Sequence, residues 1–283
     1  MASNAHQYSE EQSAEDILND ALLFLGGQPV IDDEVISYGP LKLTVAPKAG
    51  KANTLLADHL FSPALFLAER IEQGVIPLQE KTLIELGAGC SLPSLASCII
   101  SSPNNIPSLV VTTDYPDPII LGNLRNNVER NQVLVPPTCK LHFRGYEWGQ
   151  EVADLLNLLP RNQNASVGFD IVILSDLLHF QTSHDVLVRS LSLLLAKTVD
   201  ARVYVASRFD PQIQAGKYTL SDVCSSFLLK AANAGLIFEE DLHMTSEDGS
   251  KWQGTLPVSG LDPEALGIRK NNCRSWVGHW LEI

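Results

Sequence analysis

Leu83-Ile84-Glu85-Leu86-Gly87-Ala88-Gly89-Cys90-Ser91-Leu92 is an apolar run that breaks at two alternate glycines and resumes as a second apolar run. A short strand, a glycine turn and a helix start make up a βα unit whose loop can approach a ligand closely. Glycine at 87 and 89 allows the tight bend and lets the backbone come near the ligand. A dinucleotide fingerprint wants a third glycine at position 92, where this chain has Leu92. Glu85, just before the glycines, is ill-suited to cradling phosphates and suited to a cationic ligand bearing a sulfonium and an amino group. A generic βα turn is the plain alternative, since two glycines alone are a weak signal.

Outward from this turn the chain alternates. Strands are expected over 82–86, 109–113, 140–143, 169–175, 201–207 and 236–241, and helices over 92–100, 119–131, 150–159, 183–196 and 220–234. Apolar strands alternating with helices mean a mostly parallel sheet covered on both faces, an α/β fold of Rossmann-like type. Upstream, apolar residues at helical spacing predict a helix within 58–74, closed by Gly74, and short strands within 35–45 around Gly39-Pro40. Ser13 caps an expected helix over 13–25, with Asp16 in its first turn, behind a disordered tail of about 12 residues. Residues 249–269 read as loop. The stretch 273–283 reads as a last strand in which Trp276 and Trp280 serve packing. Residues 1–57 are therefore taken as an extension and 58–283 as one domain.

Composition narrows the partners. The 283 residues carry a formal net charge of −13, which argues against nucleic acid, a partner that demands clustered Lys and Arg. The charge suits a basic protein substrate, and solubility explains it equally. Five dispersed cysteines, with no CxxC pair, suit reduced thiols rather than a zinc site or a disulfide framework. Seven histidines show no metal-binding spacing, so no metal is expected. No apolar run reaches a membrane span of roughly 18 residues, and the acidic N-terminus has no leader pattern. The expected setting is the cytosol, or the nucleus as well, with a monomeric chain.

The second expected strand ends at Asp114, 25 positions after Gly89. In Rossmann-type folds that place holds a carboxylate accepting the ribose hydroxyls. The plainer reading is a helix-entry Asp in Asp114-Tyr115-Pro116-Asp117-Pro118, but Asp117 can serve as the cap and leave Asp114 for the ligand. These features are compatible with S-adenosylmethionine (SAM), which is cationic, carries a ribose and has no pyrophosphate.

With these residues in place, the chain resembles methyltransferase family 16, the seven-β-strand methyltransferases that include many protein-lysine methyltransferases. The likeness runs from about Phe61 to Arg208. Phe61-Ser62-Pro63-Ala64-Leu65 resembles the family's aromatic-x-x-Ala helix, with Phe61 where Trp is usual, and 83–89 resembles its first motif closely. Asn123-Leu124-Arg125-Asn126-Asn127, followed by Asn131, resembles its Leu-x-x-Asn-x-x-x-Asn helix, and Glu147-Trp148-Gly149 the segment flanking adenine. Ile173-Leu174-Ser175-Asp176-Leu177-Leu178-His179 stands where the family carries Asp-x-x-Tyr. The 111–118 phrase is nearest to a fungal subgroup acting on the N-terminal region of elongation factor 1A, once labelled nicotinamide N-methyltransferase-like.

The resemblance implies seven strands in the order 3-2-1-4-5-7-6, with strand 7 antiparallel, and SAM across the ends of strands 1 and 2. It implies a cofactor site drawn from Phe61, Glu85, Gly87, Ala88, Gly89, Asp114, Tyr115, Asn127, Trp148, Ser175 and Asp176. Within that set the glycines line the methionine end, Asp114 the ribose and Trp148 the adenine. Asp176 would close the methionine side and face the acceptor amine, orienting it and stabilising its developing charge. His179 replaces the family's Tyr and is the candidate proton acceptor, or else a structural residue. The function implied is N-methylation of a protein lysine or N-terminal amine. The alternatives are a small-molecule N- or O-methyltransferase and a degenerate SAM-binding interaction module.

Overall fold

The computed structural model describes residues 35–160, 167–208, 214–215, 218–241 and 251–282. The expected tail and the 13–25 helix lie outside them. Strand β1 (Ile36–Tyr38) turns at Gly39-Pro40 into β2 (Leu41–Leu43), an antiparallel pair. The short helix α1 (Gly50–Thr54) and helix α2 (Ser62–Glu72) follow. The alternation then runs β3 (Thr82–Leu86), α3 (Leu92–Ile99), β4 (Leu109–Asp114), α4 (Pro118–Asn131), β5 (Lys140–Gly145), α5 (Ala153–Leu156), β6 (Ile171–Ser175), α6 (His184–Leu194) and β7 (Arg202–Arg208). Two short strands, β8 (Gln214–Ala215) and β9 (Tyr218–Thr219), precede α7 (Leu220–Asn233) and β10 (Leu236–Glu240). Helix α8 (Pro263–Asn271) and β11 (Cys273–Trp280) complete the described chain.

Seven strands form one sheet in the order β10-β11-β7-β6-β3-β4-β5. β3, β4, β5, β6 and β7 pair in parallel, and β11 runs antiparallel to both of its neighbours. Counted from the first strand after the N-terminal hairpin, this is the expected 3-2-1-4-5-7-6 order. Every residue of β3 and β4 is buried, because helices cover both faces. One face packs Leu65, Phe66, Leu92, Leu95 and Val128 from α2, α3 and α4. The other packs Leu155, Leu187, Leu191 and Phe227 from α5, α6 and α7. Trp276 and Trp280 are buried in that second layer, and the Trp280 indole donates to the Ala196 carbonyl.

Elements α1, β8 and β9 come without an expectation, and two others differ from theirs. The 150–159 helix contracts to one turn, Ala153–Leu156, which lacks a side-chain cap and buries only Leu155. Within the expected 249–269 loop, α8 forms instead. Asp262 caps it by accepting from the Ala265 N–H, and Pro263 takes the first turn. Its buried face includes Arg269 and Lys270 rather than an apolar stripe, so no hydrophobic period betrays it. Lys270 is tolerated there because its ammonium meets Glu69 of α2, Nζ to Oε2 2.8 Å.

The N-terminal hairpin is locked to the sheet by three asparagines four residues apart on α4. Asn131 pairs with the backbone N–H and carbonyl of Lys42, and Asn127 does the same with Thr44. Asn123 bonds the Thr44 hydroxyl and carbonyl. These side chains satisfy a strand edge that, among the described residues, has no further strand beside it.

Candidate active site

At the C-terminal ends of β3, β4 and β6 lies a cavity of about 300 Å³. This is where an open α/β sheet presents its loops to a ligand. Gly87 and Gly89 bend the β3–α3 turn with φ of +59° and +53°. A Cβ at Gly87 would stand 2.8 Å from Leu177 Cδ2 and 3.1 Å from Trp148 Cζ2, and the positive φ strains any other residue there. Asp114 ends β4 beside this turn. Its Oδ2 accepts from the Gly89 N–H at 2.6 Å and its Oδ1 from the Tyr115 N–H at 2.7 Å. Burial pushes the Asp114 carboxyl up to about 6, and those two N–H donors hold it down from rising further.

Asp176 follows β6 in a left-handed conformation, φ +59°, and is buried. Its Oδ1 accepts from the Arg208 N–H at 3.2 Å, and the Arg208 Nε lies 2.8 Å from Oδ2 as an ion-pair partner. Burial raises the Asp176 carboxyl, and Arg208 opposes the rise. The Arg208 guanidinium also sits 4.5 Å above the Phe61 ring, joining the start of α2 to the end of β7. His179 lines the cavity with both ring nitrogens shut off from solvent and without a hydrogen-bond partner. Burial, with Arg208 nearby, lowers it to about 3 and keeps the ring neutral.

Most of the expected residues therefore meet. Phe61, Gly87, Ala88, Gly89 and Asp114 line the cavity, as do Tyr115, Trp148, Ser175, Asp176 and His179. Glu85 and Asn127 do not. Glu85 points away from the turn into the start of α3, where its Oε2 accepts from the Ser94 N–H and hydroxyl. Burial raises its carboxyl to about 8, so at neutral pH it is largely protonated and offers a cationic ligand no full charge. Asn127 reaches the turn from behind, donating to the Cys90 carbonyl while holding Thr44. Both support the turn from outside the ligand space.

Three features were not marked by motif. The segment around α1 forms one wall through Leu55, Leu56, Ala57, His59 and Leu60. Phe180 stands edge-on to Trp148 at 5.8 Å. Arg208 is visible in the sequence only as a charge closing an apolar strand. Among the described residues, no group of three or more His, Cys, Asp or Glu is placed to hold a metal ion. No described helix is long and apolar enough to cross a membrane.

A family model described as lysine methyltransferase matches residues 52–216, a stretch that contains the cavity's glycine turn, Asp114, Asp176 and His179. A protein N-terminal and lysine N-methyltransferase of Emericella nidulans is 31% identical over 208 residues, 66% of this chain and 76% of that protein. Proteins of the same description align from Neurospora crassa, 26% identical over 80% of this chain and 74% of its length, and from Schizosaccharomyces pombe. The last is 32% identical over 54% of this chain and 56% of its own length, so that match spans little more than half of the relative.

Proposed function

The chain belongs to the lysine methyltransferase family, and from that premise we propose that it methylates a protein amine, a lysine side chain or an N-terminal α-amine, with SAM as methyl donor. A translation factor such as elongation factor 1A is the proposed acceptor, approached by a monomeric chain in the cytosol. The observation that carries the reading is one cavity bounded by Asp114 and the glycine turn on one side and by Asp176 and His179 on the other. The residues fit SAM. Gly87 bends the turn at a positive φ, Asp114 keeps lone pairs for ribose hydroxyls, and Trp148 offers an aromatic face to adenine. Ser175 and Asp176 stand where the amino-acid end would lie.

When bound, SAM supplies a methyl group already activated on a sulfonium sulfur. The protein's task is then to hold an amine close and aligned, which can contribute as much as any acid–base step. Asp176, fixed by Arg208, orients the amine and stabilises the positive charge that grows on nitrogen. His179, held neutral by burial, shapes the wall beside Asp176 and does not carry the amine's proton.

The test is transfer from methyl-labelled SAM by the full chain. Candidate acceptors are elongation factor 1A, an extract of the source organism and small amines such as nicotinamide. Label recovered in protein as methyl-lysine or a methylated N-terminus supports the proposal. Label only in small molecules favours the closed-pocket alternative, and SAM binding without transfer favours the interaction module.

A further inference from the structure

Asp176 lines the cavity only 3% exposed, on backbone that turns left-handed at the end of β6. A carboxylate that deep takes up a proton unless a cation or several donors face it. A protonated Asp176 could not balance the positive charge that methyl transfer builds on nitrogen. The site therefore needs a group that keeps the charge on this side chain and fixes its direction.

Among the described residues, the cation paired with Asp176 is Arg208. The Asp176 N–H donates to the Ala206 carbonyl of β7 at 2.8 Å, which brings the two strand ends together. Arg208, at the end of the same strand, then meets both carboxylate oxygens, Oδ1 through its backbone N–H and Oδ2 through Nε. Its guanidinium is held in turn by the Phe61 ring, 4.5 Å away. A planar guanidinium stacked on a ring presents its charge in a fixed direction, which a lysine ammonium does not. A carboxylate oxygen has two lone pairs, so Oδ2 can take an amine N–H while Arg208 holds it. The other titratable groups near Asp176 are neutral. Burial pushes the Cys224 thiol of α7 up to about 11 and holds His179 near 3. Burial also lowers His184, which bonds the Leu178 carbonyl behind the loop. Asp114, Glu147, His59, Tyr115 and Tyr146 stand elsewhere on the cavity wall.

We infer that Arg208 is a positioning residue for methyl transfer, holding the buried Asp176 side chain as an aimed carboxylate at the acceptor. The role rests on the methyl-transfer reading. Arg208 acts through Asp176 and Phe61, which line the cavity in front of it. Burial raises the Asp176 carboxyl, and Arg208 opposes the rise. Without the guanidinium the rise is unopposed, and Asp176 takes up a proton at a pH where the wild-type residue carries none. Turnover is then lost as pH falls through the raised value and returns above it, where the carboxylate is restored.

The test measures single-turnover transfer to elongation factor 1A at saturating SAM, from about pH 6.5 to 9. It compares wild type, Arg208→Gln, Arg208→Lys, Asp176→Asn and the double variant Asp176→Asn with Arg208→Gln. Relative to wild type, Arg208→Gln should be about 100-fold slower at the acid end, the scale of a lost electrostatic contact, and within about tenfold at the alkaline end. Arg208→Lys keeps the charge and should keep the shape of the wild-type profile at a lower plateau. On the Asp176→Asn background, Arg208→Gln should slow transfer less than about threefold further, because the two residues act as a unit. A deficit of equal size at every pH, or full additivity in the double variant, overturns the role. Carbon-13 NMR of the full chain, labelled at aspartate carboxyls, needs neither acceptor nor cofactor. The Asp176 signal, identified by its loss in Asp176→Asn, should stay that of a carboxylate over the same range in wild type and Arg208→Lys, and titrate within it in Arg208→Gln. An Asp176 that titrates there in wild type, or does not in Arg208→Gln, overturns the inference, and the wild-type measurement depends on no variant folding. An Asp176 that behaves as expected in a chain that labels no protein supports the hold of Arg208 on the carboxylate and counts against the methyl-transfer reading.

Discussion

At the scale of single residues, the two groups after β6 separate by environment. Asp176 has an ionic partner and His179 has none. Asp176→Asn should leave SAM binding within a few-fold and reduce turnover about 100-fold, the scale of losing one transition-state electrostatic contact. Steady-state kinetics beside calorimetry check this, and unchanged turnover would remove Asp176 from the chemistry. For His179 the folded value of about 3 lies below the ordinary 6.5, so the unfolded chain binds more protons between those limits. Its contribution to stability is full above pH 6.5 and is lost as pH falls towards 3. His179→Phe should therefore lose less stability than wild type on acidification over that window, read by denaturant melts. It should also leave the pH profile of turnover between 6 and 8 unchanged in shape. An inflection that disappears in His179→Phe would show that this ring titrates after all.

At the scale of elements, the strands were legible because their apolar runs and turns are local, as 82–86 shows by matching β3 end to end. What escaped was set by long-range partners. Lys270 looks like a surface charge until Glu69, 201 residues away, is placed against it, so α8 read as loop. Glu85 looked aimed at the ligand because its place in the motif says nothing of Ser94 on the next helix. His59 gave no signal without its contact to the cavity wall. The asparagine series on α4 was visible as a motif, but its work is to hold residues 42–44 and the glycine turn together. Asn127→Ala would take from the Thr44 N–H and the Cys90 carbonyl the partner that Asn127 gives them, while Asn123 still serves the Thr44 carbonyl. It should cost about 1–3 kcal/mol in chemical denaturation. A variant as stable as wild type would mean that this clamp holds nothing the rest of the fold does not already hold.

At the scale of the whole molecule, the strand order and the placing of Asp114 and Asp176 at strand ends follow from one topology, whose mostly parallel sheet the alternating pattern implied and whose strand order the family resemblance implied. Burying Glu85 and Asp114 at the centre of that sheet sets how stability varies with pH. Their folded values, about 8 and about 6, lie above ordinary carboxylates. Their contribution is thus present at low pH and is lost as pH rises, through about 8 for Glu85 and about 6 for Asp114. Glu85→Gln keeps an acceptor for Ser94 and has no charge to bury. It should be more stable than wild type at pH 8.5, on the order of 1–3 kcal/mol, and nearly equal at pH 5. Equal stability at both would mean that Glu85 is not held protonated. The central claim is that the cavity beside Asp114 is the SAM site, and calorimetry tests it most directly. Wild type should bind SAM and S-adenosylhomocysteine and not NAD, with affinity falling below pH about 6 as Asp114 protonates. Asp114→Ala, folded as before, should bind more weakly by about 1–3 kcal/mol. Binding of NAD without SAM, or an Asp114→Ala variant with unchanged affinity for S-adenosylhomocysteine, would contradict it.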